Sequence, residues 1–151
     1  MKLRIEIDPD MPEEIIIRAH SENDEVRRLS SAVERTLGGS EISVRKGDRE
    51  RYISCDAILY FETGDNRVWA HTADDIYCVS MRLTELMNML PRIFARASKS
   101  CLVNTTHICS IRRFPTGIAV AEFTGAGKTV YISRMYYKNV RDTIEETRLK
   151  Q

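Results

Sequence analysis

The chain has 151 residues, enough for one domain of ordinary size or one domain with a small appendage, and enough to bury a core of its own. Hydrophobic residues at 42% and charged residues at 30% describe a soluble globular protein, and aliphatic runs as short as Ile15-Ile16-Ile17 exclude a membrane-spanning helix. The net charge of +1 conceals a division: residues 1–50 hold 9 Lys+Arg against 12 Asp+Glu, while residues 92–141 hold nine basic residues and a single acid, Glu122. That basic segment is a candidate surface for a polyanion.

Asp8, Asp10, Glu13 and Glu14 argue against a signal or transit peptide, so the expected location is the cytoplasm. The spacings of Cys55, Cys78, Cys101 and Cys109 contain no C-x-x-C, which leaves a zinc site without support and makes buried reduced thiols the expectation.

In chain order, Lys2–Ile7 alternates apolar and charged residues, which predicts a half-buried strand, and Asp8–Pro12 is turn chemistry. Glu14–Ala19 predicts a second strand. Ser21 and Asp24 resemble a capping box ahead of a helix whose face carries Val26, Leu29, Ala32 or Val33, and Leu37, ended by Gly38-Gly39. Residues 1–40 therefore read as a β-β-α unit, too small to be stable without packing on the rest or on a second copy. From residue 41 the texture becomes short strands: 41–45, 49–54, 57–61, then 67–72 and 76–80 as a hairpin. Leu83, Leu86, Met87 and Leu90 form a helical stripe stopped by Pro91. Strands follow at 102–103, 107–112, 117–123 and 128–133, and residues 135–149 read as either a helix or a fraying tail. The expected class is mostly β, α+β overall, with a boundary between residues 1–40 and 41–151.

Gly125-Ala-Gly-Lys-Thr129 imitates the end of a phosphate-binding loop. The full pattern needs a glycine where Glu122 stands and a helix where Val130–Ser133 reads as a strand, so a glycine-rich hairpin turn is the better reading. His20, His71 and His107 have no metal-ligand spacing, and Cys101 with His107 lacks an orienting carboxylate for nucleophilic work. Neither an enzyme nor a cofactor is expected. Three polar clusters on inter-strand loops remain: Gly64–Arg67, Arg96–Ser100 and Ser133–Lys138. Asn can read adenine, Arg or Lys can read guanine, and Ser, Tyr and Lys suit phosphate oxygens, whereas ordinary solvated turns would use the same residues.

Residues 41–145 carry Asp56-Ala-Ile-Leu-Tyr-Phe-Glu62, Asp65-Asn-Arg-Val68, Ala70-His-Thr72, and Leu83-x-x-Leu86 before Leu90-Pro91. They continue with Phe94-Ala-Arg-Ala-Ser-Lys-Ser-Cys-Leu-Val-Asn104, Ile108-x-x-Ile111, and Ile132-Ser-Arg134 with Tyr136 or Tyr137. On these motifs rests a resemblance to a LytTR domain, a DNA-binding module of bacterial response regulators. It implies an elongated antiparallel β-β-β sandwich of about ten short strands in three sheets, whose loops enter two successive major grooves of a bent duplex. Carried over by position, the base readers are Asn66, Lys99 and Arg134. Arg67, Arg96, Ser98, Ser100, Ser133, Tyr136 and Lys138 would face the sugar-phosphate backbone. Many members have His-Arg or His-Asn where this chain has Ser98-Lys99, and a bulkier apolar residue at Cys101.

Residues 1–40 are too short for the receiver domain most members carry. They resemble instead the leader of stand-alone LytTR regulators, which are often held inactive by a small membrane protein. The implied protein is a transcriptional regulator that binds tandem sites on double-stranded DNA as a homodimer through its leader. An interaction module, an RNA-binding β domain and a degenerate nucleotide binder are the alternatives.

Overall fold

A computed structural model describes residues 1–37 and 41–149 of the chain. Residues 1–20 form no strand ladder. Leu3, Ile5 and Ile7 stand 90%, 76% and 93% exposed. The alternation in this leader is real, but a ladder needs a partner for every second N–H and C=O, and two six-residue strands bury too little to hold each other. The turn chemistry at 8–12 does appear: Met11 N–H donates to the Asp8 carbonyl at 3.2 Å, and Asp10 N–H to Asp8 Oδ1 at 3.0 Å.

Helix α1 runs Asp24–Leu37. Its first turn is capped by Asn23, whose Oδ1 accepts from Val26 N–H at 2.9 Å, and not by Ser21, which lies too far ahead of the first helical residue. Gly38-Gly39, the expected helix end, lies outside the described residues.

Among the described residues ten strands follow: β1 Glu41–Lys46, β2 Arg49–Ser54, β3 Ile58–Gly64, β4 Arg67–Thr72, β5 Ile76–Val79, β6 Phe94–Ser98, β7 Cys101–Asn104, β8 Ile108–Arg113, β9 Ala119–Phe123 and β10 Thr129–Ile132. Helix α2 (Leu83–Met89) lies between β5 and β6, and α3 (Arg134–Leu149) ends the described chain. All pairings are antiparallel, in two sheets, β2-β1-β5-β4-β3-β7-β6 and β10-β9-β8. The resemblance implied three sheets. The difference lies at one seam, where β1 meets β5 through the single register pair Arg45↔Cys78, so the β1–β2 hairpin extends the larger sheet instead of forming its own.

Strands β3 and β7 are covered on both faces, which is why Ile58–Phe61 and Cys101–Val103 read as continuous apolar runs, and β6 contributes Phe94 to one face and Ala95 and Ala97 to the other. On one face Phe61, Phe94 and Leu102 pack with Ile42, Val44 and α2's Leu83 and Leu86. On the other, Tyr60, Ala95, Ala97 and Val103 pack with Ala121, Phe123 and Ile132 of the small sheet and Val140 of α3. The C-terminal segment is thus a helix anchored by a buried valine. Asn104 closes the centre: its Nδ2 donates to the Ile58 carbonyl at 2.9 Å, and its Oδ1 accepts from the Thr106 amide at 3.1 Å and from Thr106 Oγ1 at 2.6 Å. Among the described residues, no helix is long and apolar enough to cross a membrane.

Candidate nucleic-acid interface

The β3–β4 connection has only two residues, Asp65 and Asn66, between the paired Gly64 and Arg67. Both adopt positive φ, 53° and 59°, the backbone of a type I′ turn, which matches the twist of the flanking strands and selects Asn, Asp or Gly. Trp69 Nε1 donates to the Gly64 carbonyl at 3.1 Å and braces the turn from below. Asn66 and Arg67 are exposed at its tip, with the acidic Asp65 beside them.

The β6–β7 connection, Lys99-Ser100, sits alongside, because β3 pairs β7 at Glu62↔Cys101 and Thr63 N–H donates to the Ser100 carbonyl at 2.9 Å. Here the carried-over residues build the loop as well as face solvent. Arg96 Nη1 donates to the Lys99 carbonyl at 2.8 Å, Ser100 N–H donates to Ser98 Oγ at 3.2 Å, and the two serine hydroxyls lie 3.3 Å apart. Lys99 itself projects exposed from a loop held at both ends.

The third element follows directly. Ser133 N–H donates to the Ala97 carbonyl at 2.9 Å, joining the end of β10 to β6, and α3 begins at Arg134. The Ser133 carbonyl accepts from the Tyr136 and Tyr137 amides, while its hydroxyl is covered and finds no hydrogen-bond partner among the described residues. Ser133 therefore sets the start of the helix rather than presenting an oxygen to the surface. Arg134 and Lys138 are exposed, and Tyr136 is half-buried.

Asn66, Lys99 and Arg134 thus stand at one end of the sheets on three connections linked in series by backbone hydrogen bonds. Sequence reasoning missed a fourth connection at the same end. The β8–β9 turn, Phe114–Gly117, brings Arg112 5.1 Å from the Phe114 ring and Arg113 4.3 Å from the Tyr137 ring in the first turn of α3. The signal was the Arg112-Arg113 doublet in the basic segment, which the strand pattern absorbed.

The rejected motifs are occupied by the fold itself. Residues 124–128 connect the paired strands β9 and β10, and Lys128 Nζ donates to the Thr72 carbonyl at 2.9 Å. His107 bonds the Asp56 carbonyl. Burial, with Glu62 adding to it, pushes the Cys101 thiol up to about 12, far from a nucleophile's range. Cys109 is exposed, against the expectation of burial for every cysteine, because it lies on the uncovered side of β8. Among the described residues no three His, Cys, Asp or Glu come together to hold a metal ion.

Comparison with known proteins points to one family. The family model of the LytTr DNA-binding domain matches residues 48–145. The chain is 32% identical over 146 residues to an uncharacterized HTH-type transcriptional regulator of Staphylococcus aureus strain NCTC 8325 / PS 47, covering 95% of this chain and 98% of that one. A counterpart in strain MRSA252 is 31% identical over the same length. A solved LytTr DNA-binding domain from Bacillus cereus superposes with a TM-score of 0.65 at 20% identity, covering 71% of this chain and 98% of the other.

Proposed function

Because the chain belongs to the LytTr DNA-binding domain family, we propose that it is a non-catalytic, cytoplasmic transcriptional regulator that reads double-stranded DNA with loops. In this reading Asn66, Lys99 and Arg134 contact bases in two successive major grooves of a bent duplex. The backbone is met by Arg67, Arg96 and Lys138, with Tyr136 and the Ser98–Ser100 turn beside them. The observation that carries it is the serial arrangement of three short, braced connections, each presenting at least one exposed polar or basic side chain. Rigid loops lose little freedom on docking, so their polar groups can discriminate bases as well as bind phosphate. The relatives are described as HTH-type, but here, among the described residues, strands separate α1, α2 and α3 from one another in the chain, and no consecutive helix pair of that kind is available.

The leader supports homodimerisation on tandem sites. Leu3, Ile5, Ile7, Ile15 and Ile16 are exposed on two segments that pair with no strand among the described residues, which a second copy could pair and cover. The membrane-protein partner implied by the resemblance would compete for the same surface.

Fluorescence anisotropy on a duplex from the gene's own upstream region tests the reading, titrated with salt and random competitor. About five phosphate contacts per protomer give a slope near -4.5 in log K against log salt, roughly a 500-fold loss between 50 and 200 mM. Steep salt dependence with resistance to competitor supports a sequence-specific regulator, whereas equal affinity for random DNA sinks the base-reading assignment.

A further inference from the structure

Gly117 occupies the last position of the β8–β9 turn, closed by Gly117 N–H donating to the Phe114 carbonyl at 2.9 Å and Phe114 N–H donating to the Ile118 carbonyl at 2.8 Å. Its φ of 90° is one that side-chain-bearing residues rarely adopt. The stem of Arg134 lies directly across it. A methyl group at Gly117 would sit 2.6 Å from Arg134 Cγ, 2.8 Å from Cδ and 3.0 Å from Nε, well inside van der Waals contact. On the other side of the same connection, Arg113 stacks on Tyr137, so the turn and the first helical turn of α3 grip each other at two points.

We infer that Gly117 is a positioning residue: its bare backbone is the seat on which the Arg134 stem is laid down, aiming the guanidinium before DNA arrives. This rests on the reading of Arg134 as a base contact. An unrestrained arginine would lose several rotatable bonds' worth of freedom on binding, and a stem already packed along a backbone surface loses less. The glycine serves both demands, the positive φ of the turn and the space above it. Glycine is also required at other turns for φ alone: at Gly125, with φ 69°, an added methyl meets nothing within 4 Å. Gly125→Ala therefore reproduces the backbone strain without the displacement.

The test compares Gly117→Ala, Gly125→Ala and Arg134→Ala, with the Gly117→Ala/Arg134→Ala double variant, by anisotropy on specific and random duplexes. The free proteins are followed in parallel by NMR of the Arg134 Nε–H resonance. Arg134→Ala is expected to weaken specific binding by about 5- to 150-fold. Gly117→Ala should lose a substantial part of that factor on specific DNA, little on random DNA, and nothing further in the Arg134→Ala background. The Arg134 Nε–H resonance should shift in Gly117→Ala and stay in place in Gly125→Ala. Equal losses from Gly117→Ala in both backgrounds, or an unmoved Nε–H resonance, would overturn the inference. Should Arg134→Ala bind specific DNA normally, the base-reading assignment fails instead, and the resonance alone still decides whether Gly117 seats the arginine.

Discussion

Tyr60 and His71 face each other across the β3–β4 pair as stacked rings, centroids 4.2 Å apart and planes 14° from parallel. Phe123 of the smaller sheet stacks on the far side of Tyr60 at 5.6 Å, so a histidine sits in the aromatic seam between the two sheets, only 7% exposed. Glu62 Oε1 lies 2.7 Å from His71 Nε2. Burial nevertheless holds the imidazole below its ordinary range. Glu62 opposes that shift, and the Lys128 ammonium reinforces it.

The sign of the resulting pH dependence follows. The unfolded chain takes up this proton more readily than the folded one, so stability is full above the ordinary histidine pKa near 6.5 and falls as pH drops below it. One such group contributes a slope of up to about 1.4 kcal/mol per pH unit. Urea unfolding at pH 7.5, 6.5 and 5.5 should show the decline, and His71→Gln should flatten it. An unchanged slope in that variant would assign the effect to another group.

The cysteines should separate by reactivity. Cys109 is exposed on β8, whereas Cys101 is buried with its thiol pushed up to about 12, and Cys55 is buried in the other core. Iodoacetamide on the native protein at pH 8 is expected to label Cys109 first and leave Cys55 and Cys101 unlabelled until denaturant is added. Mass spectrometry of the peptides reads the order directly.

Asn104→Ala removes the side chain that ties β7 to the Ile58 carbonyl and caps the 3-10 turn after it. It strands a buried acceptor and loses a cap, which together cost roughly 2–3 kcal/mol. Chemical denaturation should show that loss, with the salt dependence of DNA binding by the folded fraction unchanged, since Asn104 is fully buried in the core.

Lys138→Ala and Arg134→Ala should fail differently on DNA. Loss of a phosphate contact lowers affinity for all duplexes alike and reduces the salt slope by about 0.9. Loss of a base contact relaxes selectivity at one position. A matched pair of specific and random duplexes at three salt concentrations separates the two, and identical behaviour would remove the distinction drawn between these residues.

If the leader mediates association, charge placed on it should abolish association without unfolding the rest. Ile5→Asp with Ile16→Asp is expected to convert a dimer to a monomer in sedimentation velocity while the thermal transition of the β core stays in place. A wild-type chain that sediments as a monomer at tens of micromolar would leave the apolar face to a different partner.

Much of this architecture was legible because its signals are local. The β1 alternation places Ile42 and Val44 inward, and the α2 stripe buries Leu83 and Leu86. Asp65-Asn66 announces its turn through residue types that tolerate positive φ. What was not legible depends on pairing at a distance. The leader's alternation is as clean as that of β1, yet β1 has β2 and β5 beside it and the leader has no strand alongside among the described residues. The three loops are marked in the sequence by residue chemistry and by the resemblance. Their alignment in series comes from the Thr63–Ser100 and Ala97–Ser133 hydrogen bonds, between residues far apart in the chain. Gly117 carried no local sign at all, because its neighbour in space is seventeen positions away.

If Asn66 and Lys99 read bases as proposed, the tight β3–β4 turn also limits how binding preference can drift. Asn66 holds a φ of 59°, so the replacements available without straining the hairpin are essentially Gly and Asp; one removes the side chain and the other brings a negative charge toward phosphate. Lys99 stands on a loop whose φ is not positive, where most residues fit. On the proposed reading, variation in operator preference among descendants of this chain should therefore accumulate at position 99, and attempts to retarget it should begin there, with position 66 held constant.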